Sequence, residues 1–131
     1  MNNTIKKTIL VILSTVICGI TVAQQRYTDG NLTYIADNRN GATLTDYSPD
    51  KTSNGEFIIP SYVYDYNEDG SISRTIPVKR IGYSAFGYNQ LTSVVIPNSV
   101  THIGKSAFRN NKLTSVVIPN SVTNIGESAF A

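Results

Sequence analysis

Residues 87–108 (GYNQLTSVVIPNSVTHIGKSAF) and 109–130 (RNNKLTSVVIPNSVTNIGESAF) are two copies of one 22-residue unit, identical at 17 positions. The five differences are Gly87/Arg109, Tyr88/Asn110, Gln90/Lys112, His102/Asn124 and Lys105/Glu127, and none falls on an aliphatic or Phe position. A weaker copy of the tail, VKRIGYSAF at 78–86, aligns with 100–108. Twenty-two residues cannot close a core alone, so units at this period must stack on their neighbours. Stacking at the strand spacing of about 4.8 Å sets Leu91 on Leu113, Val94 on Val116 and Ile96 on Ile118. It also sets Val100, Ile103, Ala107 and Phe108 on Val122, Ile125, Ala129 and Phe130.

Within one unit, LTSVVI at 91–96 is rich in β-branched residues and reads as a strand. Pro97 ends it by removing a ladder donor, and Asn98-Ser99 suits a turn. Residues 100–103 form a second extended piece. Gly104 is assigned a tight bend, and Ser106-Ala107-Phe108 a short helical return.

Residues 24–77 lack this period and alternate short β-like runs with turn signals. Residues 32–35 and 42–45 flank Asn38-Arg39-Asn40-Gly41, a hairpin signature. Residues 48–55 read as a loop. EFIIP at 56–60 ends as the repeat strands do. Residues 62–66 and 71–76 flank Asp69-Gly70 and read as a second hairpin, inserted between Pro60 and Val78 of a first irregular coil. A β-rich cap of this kind would cover the open sheet edge of the first coil. The array breaks off at Ala131, one residue after a repeat-closing Phe, which predicts a truncated array or self-association through an open C-terminal edge.

The first 23 residues read as an address. Lys6 and Lys7 precede an apolar run at 8–20, and Thr21-Val22-Ala23 places small residues before Gln24, as in a secretory signal peptide cleaved near Ala23. The run is shorter than the ~20 residues of a membrane span, so no transmembrane span is expected in the mature chain. Ile17 before Cys18 disfavours lipid modification there. Removing Lys6 and Lys7 leaves 11 − 2 = 9 bases against 9 acids. A neutral chain lacks the basic face that nucleic-acid binding requires.

Little in the sequence carries chemistry. There is one Cys, one His and no Trp, and no Ser or Cys nucleophile comes with a base at a recognisable spacing. Asp46, Asp50 and Glu56 form no evident acid–base pair. No enzyme activity, cofactor or metal is expected. Asp65-x-Asn67-x-Asp69-Gly70 opens like a calcium loop, but the twelfth position is Ile76 where a bidentate Glu belongs, so a polar hairpin turn is the favoured reading. His102 has Asn124 as its repeat counterpart and reads as a solvated surface residue. Two candidate binding sets stand out. Thr92, Ser93 and Val95, stacked with Thr114, Ser115 and Val117, would form a flat, uncharged sheet face of the kind solenoids use to bind proteins. Tyr62, Tyr64 and Tyr66 alternate along one strand and would share one face, either as cap packing or as an aromatic platform.

The pattern LTSVVIPNSVTHIGKSAF at 91–108 and 113–130, with the Val-x-x-Ile-Gly-x-x-Ala-Phe tail ending at Phe86, Phe108 and Phe130, resembles the BspA-like subfamily of bacterial leucine-rich repeats. One departure is visible. Ser99 occupies the place usually held by a buried Asn, and Asn98 lies one residue early. The resemblance implies a mainly β protein: a short leucine-rich-repeat solenoid of 22-residue coils with stacked parallel strands and an N-terminal β-hairpin cap. Its parts would be a signal peptide over 1–23, a cap over 24–77 and repeats over 78–131. It also implies a secreted or cell-surface, non-catalytic binding protein that adheres to extracellular or host proteins. Two alternatives stand beside that reading: a carbohydrate-binding module using the Tyr-rich cap, and a non-catalytic fragment of a longer exported enzyme.

Overall fold

The computed structural model of the protein describes residues 10–12, 24–29, 31–37, 40–49 and 55–131. The described residues form ten strands and no helix: β1 (Leu10–Ile12), β2 (Gln24–Asp29), β3 (Leu32–Asp37), β4 (Gly41–Tyr47), β5 (Glu56–Ile58), β6 (Tyr62–Tyr66), β7 (Ile72–Ile81), β8 (Ser93–Val95), β9 (His102–Ile103) and β10 (Asn124–Ile125). The cleavage site expected near Ala23 and the lipidation considered at Cys18 lie outside the described residues. Within the expected leader only 10–12 are described, and their backbone pairs antiparallel with β2. The loop expected over 48–55 is described only at its ends.

The 22-residue period sets the registers. Arg80 pairs with His102 and Ile81 with Ile103, and the same two β9 residues pair with Asn124 and Ile125, all in parallel. On the opposite wall β5 and β8 form a second parallel sheet, Phe57 facing Val94, and a bridge from Val95 to Val117 continues it into the next coil. The step from Phe57 to Val94 is 94 − 57 = 37 residues. The 15 residues beyond one period are the inserted hairpin, in which β6 runs antiparallel to β7. The first coil is therefore irregular in sequence and regular in space.

The N-terminal strands β1 to β4 form an antiparallel meander. Leu32–Asp37 and Gly41–Tyr47 close the first expected hairpin, with Gly41 in the left-handed region at φ 78°. The meander joins the stack through β4, which lies parallel to β7 with Leu44 beside Ile81. The Gly82 N–H donates to the Leu44 carbonyl at 2.7 Å, as the Gly104 N–H does to Ile81 at 2.8 Å and the Gly126 N–H to Ile103 at 2.8 Å. Strand β4 thus imitates a coil strand and covers the edge of the first coil.

Between the two sheets runs the core, which includes Ile59, Ile81, Phe86, Leu91, Val100, Ile103 and Phe108. The rings of Phe86 and Phe108 stack with centroids 5.1 Å apart, and those of Phe108 and Phe130 at 5.2 Å. Tyr47 and Phe57 close the head of this column against Phe86, at 5.1 and 5.6 Å.

The return at 106–108 is a turn and not a short helix. Ser84, Ser106 and Ser128 adopt φ of 50–57°, and Tyr88 and Asn110 φ of 59° and 56°, which no right-handed helix allows. The reason lies in where the N–H groups go. Within the coil, Ala107 donates to Gly104 and Arg109 to Ser106. The alternate donors Ser106 and Phe108 reach across to Glu127 and Ala129, at 3.0 and 2.7 Å. A helix would keep all of these bonds internal and leave neighbouring coils unjoined.

Asparagines do line the stack, at 89 and 111. The Asn111 amide donates to the Phe86 and Phe108 carbonyls at 2.7 and 2.8 Å, and its oxygen accepts the Leu91 N–H at 3.1 Å. Asn89 donates to the Tyr47 and Gly87 carbonyls. Asn111→Ala leaves three backbone groups without these partners. It is expected to cost about 2–3 kcal/mol, read as a shift of the urea midpoint.

Candidate interaction surface

The wall formed by β5, β8 and the Val117 bridge alternates inward and outward residues, as a pleated strand must. Phe57, Val94 and Val116 pack toward the core. Ile58 faces Val95 in register, and Val95 is bridged to Val117. These three point outward and remain 73%, 53% and 84% exposed. They make an aliphatic column across three coils. Thr92, Ser93, Thr114 and Ser115 are exposed as well. Backbone bonds hold it: the Thr92 N–H donates to Gly55 at 2.7 Å and the Ile59 N–H to Val95 at 3.1 Å. Glu56, Phe57, Ile58, Ser93 and Val95 line a shallow depression at its N-terminal end.

Sequence reasoning did not place Ile58 and Glu56 on this face. The signal was present, because EFIIP and SVVIP share the Ile-Pro ending. Aligning the two endings puts Ile58 opposite Val95.

The second candidate set lies on the inserted hairpin. Tyr62 and Tyr64 are exposed and Tyr66 half-buried, with Val63 turned into the core between them. The Tyr64 and Tyr66 ring centroids are 6.4 Å apart.

The Asp65-x-Asn67-x-Asp69 oxygens do not converge. Asp69 Oδ1 accepts from the Ser71 N–H and hydroxyl at 2.8 and 2.6 Å. These bonds, the hydroxyl first, hold its carboxyl below the usual carboxylate range. Asp65 instead lies 3.5 Å from Arg74. The Asn67 N–H donates to the Ser71 carbonyl, so the segment is built as a hairpin turn. Among the described residues no three His, Cys, Asp or Glu side chains cluster as a metal site would require.

His102 is half-buried, not solvated as expected. Its place on β9 between Arg80 and Asn124 covers part of the ring, and its Nδ1 lies 2.8 Å from the Thr101 hydroxyl. Lys105 and Glu127, one of the few pairs that differ between copies, meet at 2.7 Å as an exposed ion pair, a contact of at most about 1 kcal/mol.

The family model for the BspA type leucine rich repeat region (6 copies) matches residues 57–131. A leucine-rich repeat protein from Bacteroides capillosus is 31% identical, with a TM-score of 0.67 over 81% of this chain and 74% of that one. A leucine rich cell surface protein from Faecalibacterium prausnitzii is 34% identical, with a TM-score of 0.65 over 80% of this chain. The alignment spans 27% of the length of that second protein. No curated protein matches the chain.

Proposed function

This chain belongs to the BspA-type leucine-rich repeat family, and from that premise we propose that it is an exported, non-catalytic protein that adheres to extracellular or host proteins through its parallel-sheet face. The observation that carries this reading is the outward aliphatic column of Ile58, Val95 and Val117, ringed by uncharged Thr and Ser. Isolated exposed aliphatics are ordinary, but a contiguous row on a rigid sheet marks a surface for a partner. Placement outside the cell is supported by the leader-like first 23 residues and by the similar cell surface protein of Faecalibacterium prausnitzii. None of the described residues forms a helix long and apolar enough to cross a membrane.

A second reading, carbohydrate binding, is favoured by the exposure of Tyr62 and Tyr64 on one face of β6. One experiment separates the two. Purified protein is screened against panels of extracellular proteins and of glycans, then compared with two variants: Thr92, Val95, Thr114 and Val117 changed to Lys, and Tyr62, Tyr64 and Tyr66 changed to Ser. The Lys set is expected to weaken protein binding at least ~100-fold, since charges placed at an apolar contact must be desolvated unpaired. Protein binding that survives the Lys set rules out the sheet face. Glycan binding lost only with the Ser set establishes the second reading.

A further inference from the structure

The wall opposite the aliphatic column carries a polar row at a position where the coil makes no demand. Arg80, His102 and Asn124 stand in register on β7, β9 and β10, about 4.8 Å apart, and Thr43 of β4 stands opposite Arg80. The residues that follow are strict in every coil: Ile81, Ile103 and Ile125, then Gly82, Gly104 and Gly126. The row itself changes from coil to coil, so packing dictates none of its members. Each of the three nevertheless ends in a planar hydrogen-bonding group.

Two of these groups are open. Nδ1 of His102 lies 2.8 Å from the Thr101 hydroxyl, which orients the ring and leaves Nε2 as its open nitrogen. The Arg80 guanidinium makes no hydrogen bond or ion pair among the described residues, unlike Arg74, which lies 3.5 Å from Asp65. Both residues are half-buried, and a partly desolvated guanidinium favours an anionic partner. No acid of the chain supplies one. Strands β7, β9 and β10 carry none, and Glu127 is held by Lys105 at 2.7 Å. Asp46 lies three residues beyond Thr43 on β4, about 10 Å along the strand. Lys79, next to Arg80, adds a second cation.

We propose that this row binds an acidic oligosaccharide laid across the strands. A sugar carboxylate takes the Arg80 guanidinium and the His102 Nε2–H, while ring hydroxyls take the Asn124 amide and the Thr43 hydroxyl. The tautomer this requires is available. The Lys79 carbonyl lies 3.1 Å from the Thr101 hydroxyl but already accepts the Thr101 N–H at 2.9 Å, so the hydroxyl can turn its hydrogen to Nδ1. From Thr43 to Asn124 the row spans about 14 Å, more than one sugar ring. Cations set among neutral polar groups fit an acidic glycan better than a protein, whose contacts need an apolar centre. They also fit it better than a nucleic acid, whose repeated phosphates need a wider basic face. The site is independent of the sheet-face reading.

The chain has one His, so a single imidazole resonance reports on the site. Purified protein is titrated with oligogalacturonate and, in parallel, with a neutral galactose oligomer, a glutamate peptide of equal charge and sodium sulfate. A saturable shift of the His102 ring signal is expected with oligogalacturonate alone. Arg80→Gln is expected to weaken that binding at least tenfold. His102→Asn, followed by calorimetry, is expected to weaken it as well. This second variant copies the residue at 124, which the coil already accommodates, and it decides the matter if Arg80→Gln does not fold. Three results would each overturn the proposal: no saturable shift up to about 10 mM, an equal response to the neutral oligomer, the peptide or sulfate, or binding undiminished in a folded variant.

Discussion

Phe108→Ala is expected to destabilise the protein by about 3–5 kcal/mol, a large share of the 5–15 kcal/mol that holds a typical domain folded. The Phe108 ring is 1% exposed and lies between two others, with its plane 19° from that of Phe86 and 5° from that of Phe130. Truncation removes a phenyl from the middle of the column, and both neighbours lose a stacking partner worth a further ~1 kcal/mol in total. The void cannot collapse readily, because the backbone on either side is tied by Phe86 N–H to Ala107 carbonyl and Phe108 N–H to Ala129 carbonyl bonds of 2.8 and 2.7 Å. Phe130→Ala should cost far less, since that ring is already partly exposed, and Val117→Ala should cost almost nothing. Urea unfolding of the three variants gives the order directly. A loss below ~1 kcal/mol for Phe108→Ala would mean that the phenyl column is not the spine of the fold.

The repeat makes that column legible in the sequence, because identical Phe residues 22 positions apart must superpose once coils stack. The inserted hairpin was legible for a related reason: EFIIP carries the ending of a repeat strand, and Asp69-Gly70 marks a turn inside the excess length. Other features were hidden by local chemistry. Asn89 and Asn111 are identical in the two copies but are flanked by positions that differ, and a polar residue in a turn looks solvated. Only the fold shows that the Asn111 amide is folded back onto the Phe86 and Phe108 carbonyls. The return was misread as helical because residue types alone do not reveal that half of its N–H groups belong to the next coil. Strand β4 carries no repeat motif at all. Its likeness to a coil strand is one of backbone position, with Leu44 beside Ile81. Of the candidate surface, Ser93 and Val95 and their repeat counterparts Ser115 and Val117 fit strand alternation, Thr92 precedes the strand, and Ile58 needed the first coil to be recognised across its insertion.

Gly104 opens the tight bend expected of it, with the Ala107 N–H donating to its carbonyl at 3.2 Å, but that bend is not why the residue is glycine, and it carries the second large expected effect. Its backbone is not in the left-handed region that would demand glycine for a bend. What it supplies is room. A Cβ there would lie 2.8 Å from the Gly82 carbonyl carbon, 2.9 Å from the Gly82 oxygen and 2.9 Å from the Ile81 oxygen. All three are backbone atoms, so no side chain can swing aside. The crowding recurs at Gly82 against the Leu44 carbonyl and at Gly126 against the backbone of Gly104 and Lys105, so glycine stacks on glycine where the coils come closest. Gly104→Ala must push the coils apart at the point where the Gly104 N–H bonds to the Ile81 carbonyl and the Thr101 N–H to Lys79. Overpacking of a site that can relax costs about 1–3 kcal/mol. Here the strained atoms also carry ladder bonds worth about 1 kcal/mol each, so a loss of about 3–5 kcal/mol is expected. Gly70→Ala is the control: it meets nothing within 4 Å and incurs only the left-handed penalty of about 1–2 kcal/mol. Chemical denaturation of the pair separates close approach from backbone conformation. If Gly104→Ala proved no more harmful than Gly70→Ala, adjacent coils would have to stand farther apart than these contacts require.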